Sequence, residues 1–352
     1  MLSHMSKTLF TATIAVLVLA AGDLSADNRR DYLMIVGSTT VYPMSQLVID
    51  RVIENTGLKA PMVQPTGSGG GLSLFCNGNE ELDPDITLAS RPIRQSELEK
   101  CRTNGVHEIV EVKIGYDGVI FAQSRDATRF NLTRRDLYLA LAKWLPNRDE
   151  GEPFVANPHS TWKDVNADLP DIPIEVWGPA KGSGTRYILE RLAIEEGCRT
   201  ADGMIELEED DPWQYRLICR TIRDDLAYQV VGENDERNVD KLTDNPNALA
   251  IETYGVLEAN EELIRGLTVD GIAPDFAAIR NGSYLISRPL YLYARKSSAD
   301  LYPGFKEVLA EFTNETAWNK TGYLRPRGLV PMLEEERVKF AEVAKTLTTL
   351  EF

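Results

Sequence analysis

Residues 32–43 read YLMIVGSTTVYP and set out one compact structural unit. Its first five residues are a continuous apolar run, which predicts a short buried strand. Gly37-Ser38-Thr39-Thr40 then supplies turn chemistry, and Pro43 stands where proline suits the first turn of a helix. Met44, Leu47, Val48 and Val52 follow at helical spacing, so the unit is strand, turn, helix. The pattern recurs where 174–177 (IEVW) precede Gly182-Ser183-Gly184-Thr185, after which Ile188, Leu189, Leu192 and Ala193 mark one helical face. A third turn, Gly67-Ser68-Gly69-Gly70-Gly71, also leads into a helical pattern. A helix N-terminus presents unpaired N–H groups and about half a positive charge. Three such turns together predict a site for a small oxyanion.

Two α/β units with similar turns imply two lobes. Between them 113–123 (KIGYDGVIFAQ) carries the strand-like core Val119-Ile120-Phe121-Ala122 and suits a segment crossing from one lobe to the other. The apolar strand at 290–294 (LYLYA) is placed for the return. Residues 147–171, rich in Pro, Asn, Asp and Trp, read as an irregular loop, and the acidic run at 206–211 (ELEEDD) as a solvated surface loop without the ligand spacing of a calcium loop.

With 352 residues, 43% of them hydrophobic, the chain can bury an ordinary two-domain core. Its 14-residue apolar run at 9–22 follows Lys7 and precedes small residues, which suits a secretory signal over residues 1–26 better than a membrane span. Cleavage after Ala26 or after Gly22 fits equally. No cysteine precedes Cys76, which argues against a lipid anchor. Lys7 and Asp23 cancel, so the mature chain keeps the net charge of −16 and no nucleic acid or anionic membrane is expected as partner. An acidic chain can still bind an anion, because cleft dipoles act locally and net charge is screened over roughly 8 Å at physiological salt. Four cysteines in an exported chain invite pairing, and their positions suggest Cys76 with Cys101 and Cys198 with Cys219, although three connectivities are possible.

Catalytic motifs are wanting. Only His107 and His159 follow the signal segment, no H-E-x-x-H metal motif occurs, and neither a G-x-S-x-G elbow nor a Walker A loop is present. No metal and no cofactor is expected. A hydrolase built on Ser68 or Ser183 would need a base beside the serine.

In order and spacing, Gly37-Ser38-Thr39-Thr40-Val41-Tyr42-Pro43, Gly67-Ser68-Gly69-Gly70-Gly71 followed by Ala89-Ser90-Arg91-Pro92-Ile93, and Gly182-Ser183-Gly184-Thr185 resemble the periplasmic phosphate-binding proteins of Pst-type ABC transporters. The likeness runs from about Tyr32 to the C-terminal region. It implies a two-lobed α/β fold of the type II solute-binding class with crossing hinge strands: lobe I over 27–115 and 269–352, lobe II over 116–268. It implies a periplasmic monomer that is not an enzyme, captures inorganic phosphate and delivers it to an inner-membrane ABC permease. Carried over, Thr39 and Thr40 give hydroxyl and backbone donors, Ser68 a hydroxyl and an N–H, and Ser183, Gly184 and Thr185 the helix N-terminus of the second lobe.

The resemblance has two gaps. Family members carry a proton-accepting aspartate in the segment equivalent to 89–93, where this chain has Arg91, and an arginine just before their Ser-Gly-Thr turn, where it has Pro179. The expectation is that Arg91 supplies the cation and Asp117, on the crossing segment, the proton acceptor. Without an acceptor, sulfate would be favoured over phosphate; phosphite and molybdate are further candidates, and a signalling or adhesion module a more distant one. Arg223, Glu233 and Asn234 are weaker candidates for the cleft.

Overall fold

The computed structural model describes residues 30–78, 82–147, 154–181, 183–231 and 235–351. The signal segment, Gly182, Glu233 and Asn234 lie outside the described residues. The fold belongs to one unit, Asp31–Phe352.

The strand expected from the opening stretch is β1, Met34–Gly37. It pairs in parallel with β2 (Met62–Gln64) and β3 (Ile86–Ala89). Parallel neighbours need a crossover, and the helix Tyr42–Thr56 provides it, with Met44, Val48 and Val52 buried against the sheet and Pro43 in its first turn. The helix Gly67–Phe75 connects onward. Its packing needs a bare backbone, since a Cβ on Gly71 would lie 2.4 Å from Gly37 Cα and 2.6 Å from Thr87 Oγ1. Gly71→Ala must therefore push this helix off β1 and is expected to destabilise the protein by about 2–3 kcal/mol, checked by urea unfolding.

The crossing segment is longer than its apolar core suggested. Strand β4, Ile109–Ser124, is buried along almost its whole length. β5 (Trp144–Pro146) and β6 (Phe154–Ala156) form a separate antiparallel pair, and Thr161 caps the short helix Trp162–Val165 by accepting from Asp164 N. The supposed irregular loop therefore carries secondary structure, because strand pairing and a capping box organise a stretch without clear periodicity. β7 (Val176–Gly178) pairs in parallel with β8 (Tyr228–Val230) and β9 (Leu249–Thr253). β10 (Ile264–Gly266) and β11 (Ser287–Arg295) complete the pairing.

The main path of the sheet runs β2-β1-β3-β11-β4-β9-β7-β8, with β10 on β4. Strand β4 changes partners along its length. Its residues 109–118 pair antiparallel with β11, whereas 119–124 pair antiparallel with β9 and β10. The two parallel groups are thus joined through antiparallel crossing strands, as the apolar runs at 119–122 and 290–294 predict.

The acidic run is helical rather than a loop, lying largely in the helix Met204–Asp210, and Asp211 caps the next helix, Pro212–Arg220, by accepting from Trp213 N and Gln214 N. Carboxylates suit that position because they satisfy free helical N–H groups. Cysteine pairing follows the local connectivity, Cys76–Cys101 and Cys198–Cys219. The first bridge lies in a small cluster with Leu72, Phe75 and Tyr293, apart from the main core.

Candidate functional site

The turn after β1 is held by its own serine. Ser38 N donates to Leu88 O at 2.8 Å, its Oγ accepts from Thr40 N at 3.2 Å, and its carbonyl accepts from Tyr42 N at 3.1 Å. Ser38 is consumed in making the turn, while Thr39 and Thr40 line a cavity at the start of the helix.

The turn after β7 is built in a comparable way. Pro179 O accepts from Tyr228 Oη at 2.8 Å and from Arg186 at 3.4 Å, and the Arg186 guanidinium lies 4.6 Å from the centre of the Tyr228 ring. Ser183 caps the helix Gly184–Ile188 by accepting from Arg186 N. That helix continues through a π-helical stretch, Leu189–Ile194, into Glu195–Cys198. Ile188, Leu189 and Ala193 are fully buried and Leu192 partly so, which holds the face that the sequence marked.

These turns meet across the cavity. An ideal Cβ on Gly184 would fall 2.5 Å from Thr40 Cα, 2.8 Å from its Oγ1 and 3.0 Å from its N. Only a glycine allows this approach. The cavity, about 110 Å³, brings together Thr39, Thr40, Asp117, Ser183, Gly184 and Thr185, six residues singled out by the sequence. By the same measure one water needs about 10–15 Å³, so the cavity has room for a small ion.

Asp117 reaches the site from β4, facing Arg288 on β11 in the strand register. It is 3% exposed, and burial pushes its carboxyl up to about 6, against the opposing pull of Arg288 and a hydrogen bond from the Gly118 backbone. Enclosure in turn pushes the Arg288 guanidinium down to about 10, against the pull of Asp117. Arg288 donates to Thr40 Oγ1. A carboxyl poised near 6 beside several donors can accept a proton carried by the ligand.

Ser68 and Arg91 do not line this cavity. Ser68 Oγ accepts from Ser90 N at 3.0 Å and lies 3.0 Å from Ser90 Oγ, tying the helix Gly67–Phe75 to the end of β3. Arg91 forms a two-point pair with Glu97 at 2.8 and 2.7 Å and donates to Pro92 O, bracing the start of the helix Gln95–Thr103. The carboxylate six residues away satisfies the charge that the sequence left open. Arg223 is likewise committed, to Asp225, Ala140 O and His159 O.

Four polar residues that sequence reasoning passed over also line the cavity. Asn238 comes from the helix Asp235–Asp244, Glu252 and Thr253 from β9, and Arg327 from the short turn Arg325–Arg327. Glu252 is 6% exposed and accepts from Asn238 Nδ2 at 2.9 Å. A glutamate inside the apolar run LAIET was a usable signal, because a buried strand rarely spends a position on a charge. Arg327 carried no signal, since its segment has no periodicity.

Comparison with known proteins agrees with this architecture. The family model described as "PBP superfamily domain" matches residues 25–316. Protein SphX of Synechococcus elongatus is 26% identical over 309 residues, covering 87% of this chain and 79% of that protein. The phosphate-binding protein PstS of Staphylococcus haemolyticus is 25% identical over 303 residues, covering 85% of this chain and 80% of that protein. Among solved structures, a possible phosphate-binding protein from Planctomyces limnophilus superposes with a TM-score of 0.65 at 21% identity, covering 90% of this chain and 98% of that one. With its two parallel strand groups, its crossing strands and a family match over most of its length, the chain belongs to the PBP superfamily domain family.

Proposed function

We propose that this protein captures inorganic phosphate, as hydrogen or dihydrogen phosphate, in the cavity between the turns after β1 and β7, and delivers it to an ABC-transporter permease. The observation that carries the reading is the convergence of Thr39, Thr40, Ser183, Gly184 and Thr185 on one buried carboxyl, Asp117. Hydroxyls and helix-start N–H groups supply donors to the oxyanion, and a carboxylate acceptor rewards an anion that still carries a proton. Sulfate carries none at neutral pH and would meet the carboxylate as a like charge. The name of the Staphylococcus haemolyticus relative supports the ligand assignment.

The working cycle is hinge closure without chemistry, by a monomer. Lobe I over 27–115 and 269–352 and lobe II over 116–268 fit the partner change of β4 at 118/119. A carrier role is supported by the name of the same relative, a phosphate-binding protein. Export to the periplasm is supported by the apolar segment at 9–22 and by two disulfides.

Isothermal titration of the phosphate-stripped protein tests the reading. Phosphate should bind tightly and sulfate give no heat from pH 7 to 9, where Asp117 is ionised. Sulfate binding, or silence toward both anions, would overturn it.

A further inference from the structure

Arg288 has a position that no pairing motive explains by itself. It is half-buried on β11, its Nε is enclosed with no hydrogen-bond partner among the described residues, and its terminal Nη2 donates to Thr40 Oγ1. Around it stand Asp117 across the strand register and the Tyr187 ring, whose centre is 5.7 Å from the guanidinium carbon. Glu252 and Arg327 complete the charged groups of the cavity wall. Arg288 itself is not part of that wall. It lies behind Thr40 and contacts both sides of the site, Thr40 from the first turn and Tyr187 from the helix that begins at the second.

We propose that Arg288 is a positioning residue of the anion site, which fixes Thr40 as a hydrogen-bond donor and holds a positive charge behind the bound oxyanion without touching it. The proposal rests on the phosphate reading. A threonine hydroxyl has one hydrogen and two lone pairs. When Arg288 donates to Oγ1 it occupies a lone pair, so the hydroxyl hydrogen is left to point to another acceptor, and the cavity is where an oxyanion oxygen provides one. The same guanidinium offsets the charge of Asp117, which keeps the carboxylate available as an acceptor at neutral pH rather than protonated. The contact with Thr40 and the register opposite Asp117 place the cation of the site behind the donors instead of at the position of Arg91.

R288Q and R288K, both polar and near the native volume, separate charge from packing. Phosphate titration from pH 5 to 9, with the melting temperature of each phosphate-free variant, is the measurement. R288Q should bind phosphate about 50-fold more weakly than the wild type and R288K within about fivefold, with both melting temperatures close to the wild type. In R288Q the acid limb of the affinity profile should also move to higher pH, because Asp117 loses the cation that favours its ionised form. R288Q binding within about threefold of the wild type, or R288K as weak as R288Q, would overturn the proposal while leaving the phosphate reading intact. A wild-type chain silent to phosphate would overturn both.

Discussion

Gly184→Ala should abolish tight phosphate binding while leaving the protein folded. The added methyl would lie 2.5 Å from Thr40 Cα and 3.0 Å from Thr40 N. Those are backbone atoms, so no side-chain rotation relieves the clash, and the turns bearing Thr39-Thr40 and Ser183-Gly184-Thr185 must part. Donors that converge on one small ion depend on their spacing, and a displacement of about 1 Å can cost about 100-fold. Because donors on both sides of the cavity would lose the ligand together, the expected loss is about 1,000-fold in affinity. Gly184 opens a helix, where alanine is the better former, so the melting temperature of the phosphate-free protein should stay within a few degrees of the wild type. Calorimetry gives the affinity, and small-angle scattering with saturating phosphate should report an expanded molecule. Wild-type affinity in this variant would mean that the two turns do not close on the ligand together.

Asp117→Asn should collapse discrimination between phosphate and sulfate. The buried carboxylate can accept from a protonated oxyanion, whereas an amide can donate to either anion. A site built to pair with a ligand hydrogen rejects the analogue lacking it by about 10⁴-fold, so the substitution should erase at least about 1,000-fold of selectivity, chiefly by admitting sulfate. The pH profile follows from the same carboxyl. Its folded pKa, about 6, is raised above the usual carboxylate value by burial. For the ligand-free protein, the preference of the fold for protonated Asp117 stabilises it at low pH, and that contribution is lost as pH rises through about 6. Binding runs the opposite way, because an acceptor must be ionised, so phosphate affinity should climb as pH rises through about 6. Asp117→Asn should remove that acid limb. Retention of the limb in the variant would assign it to another group and release Asp117 from the acceptor role.

Much of this organisation was legible without coordinates. Apolar runs at 32–36 and 174–177 followed by Gly-Ser-Thr turns predicted two strand–turn–helix units, and both form, as β1 with Tyr42–Thr56 and β7 with the helix from Gly184. Such units are local: period, turn residues and a cap act within about a dozen residues, and the sequence carries all of them. The two disulfides followed for the same reason, each joining positions on neighbouring elements 25 or 21 residues apart.

The polar side chains behaved otherwise. Arg91 and Ser68 stand in the expected motifs, yet Glu97 and Ser90 hold them, because a charge or hydroxyl pairs with the nearest partner that the folded chain offers. Arg288 stands behind Thr40 and Glu252 lines the cavity only because β4 pairs with β11 and β9 in particular registers, and a shift of one residue would turn either side chain to the opposite face. Arg327 arrives from a turn far along the chain with no periodic cue. The strand–turn–helix units, the crossing strands and the family can be read from the chain alone, since these rest on local pattern and motif order. Which cations, carboxylates and hydroxyls share the cavity is fixed on folding, because that depends on strand register and on two turns brought into contact across nearly 150 residues of chain.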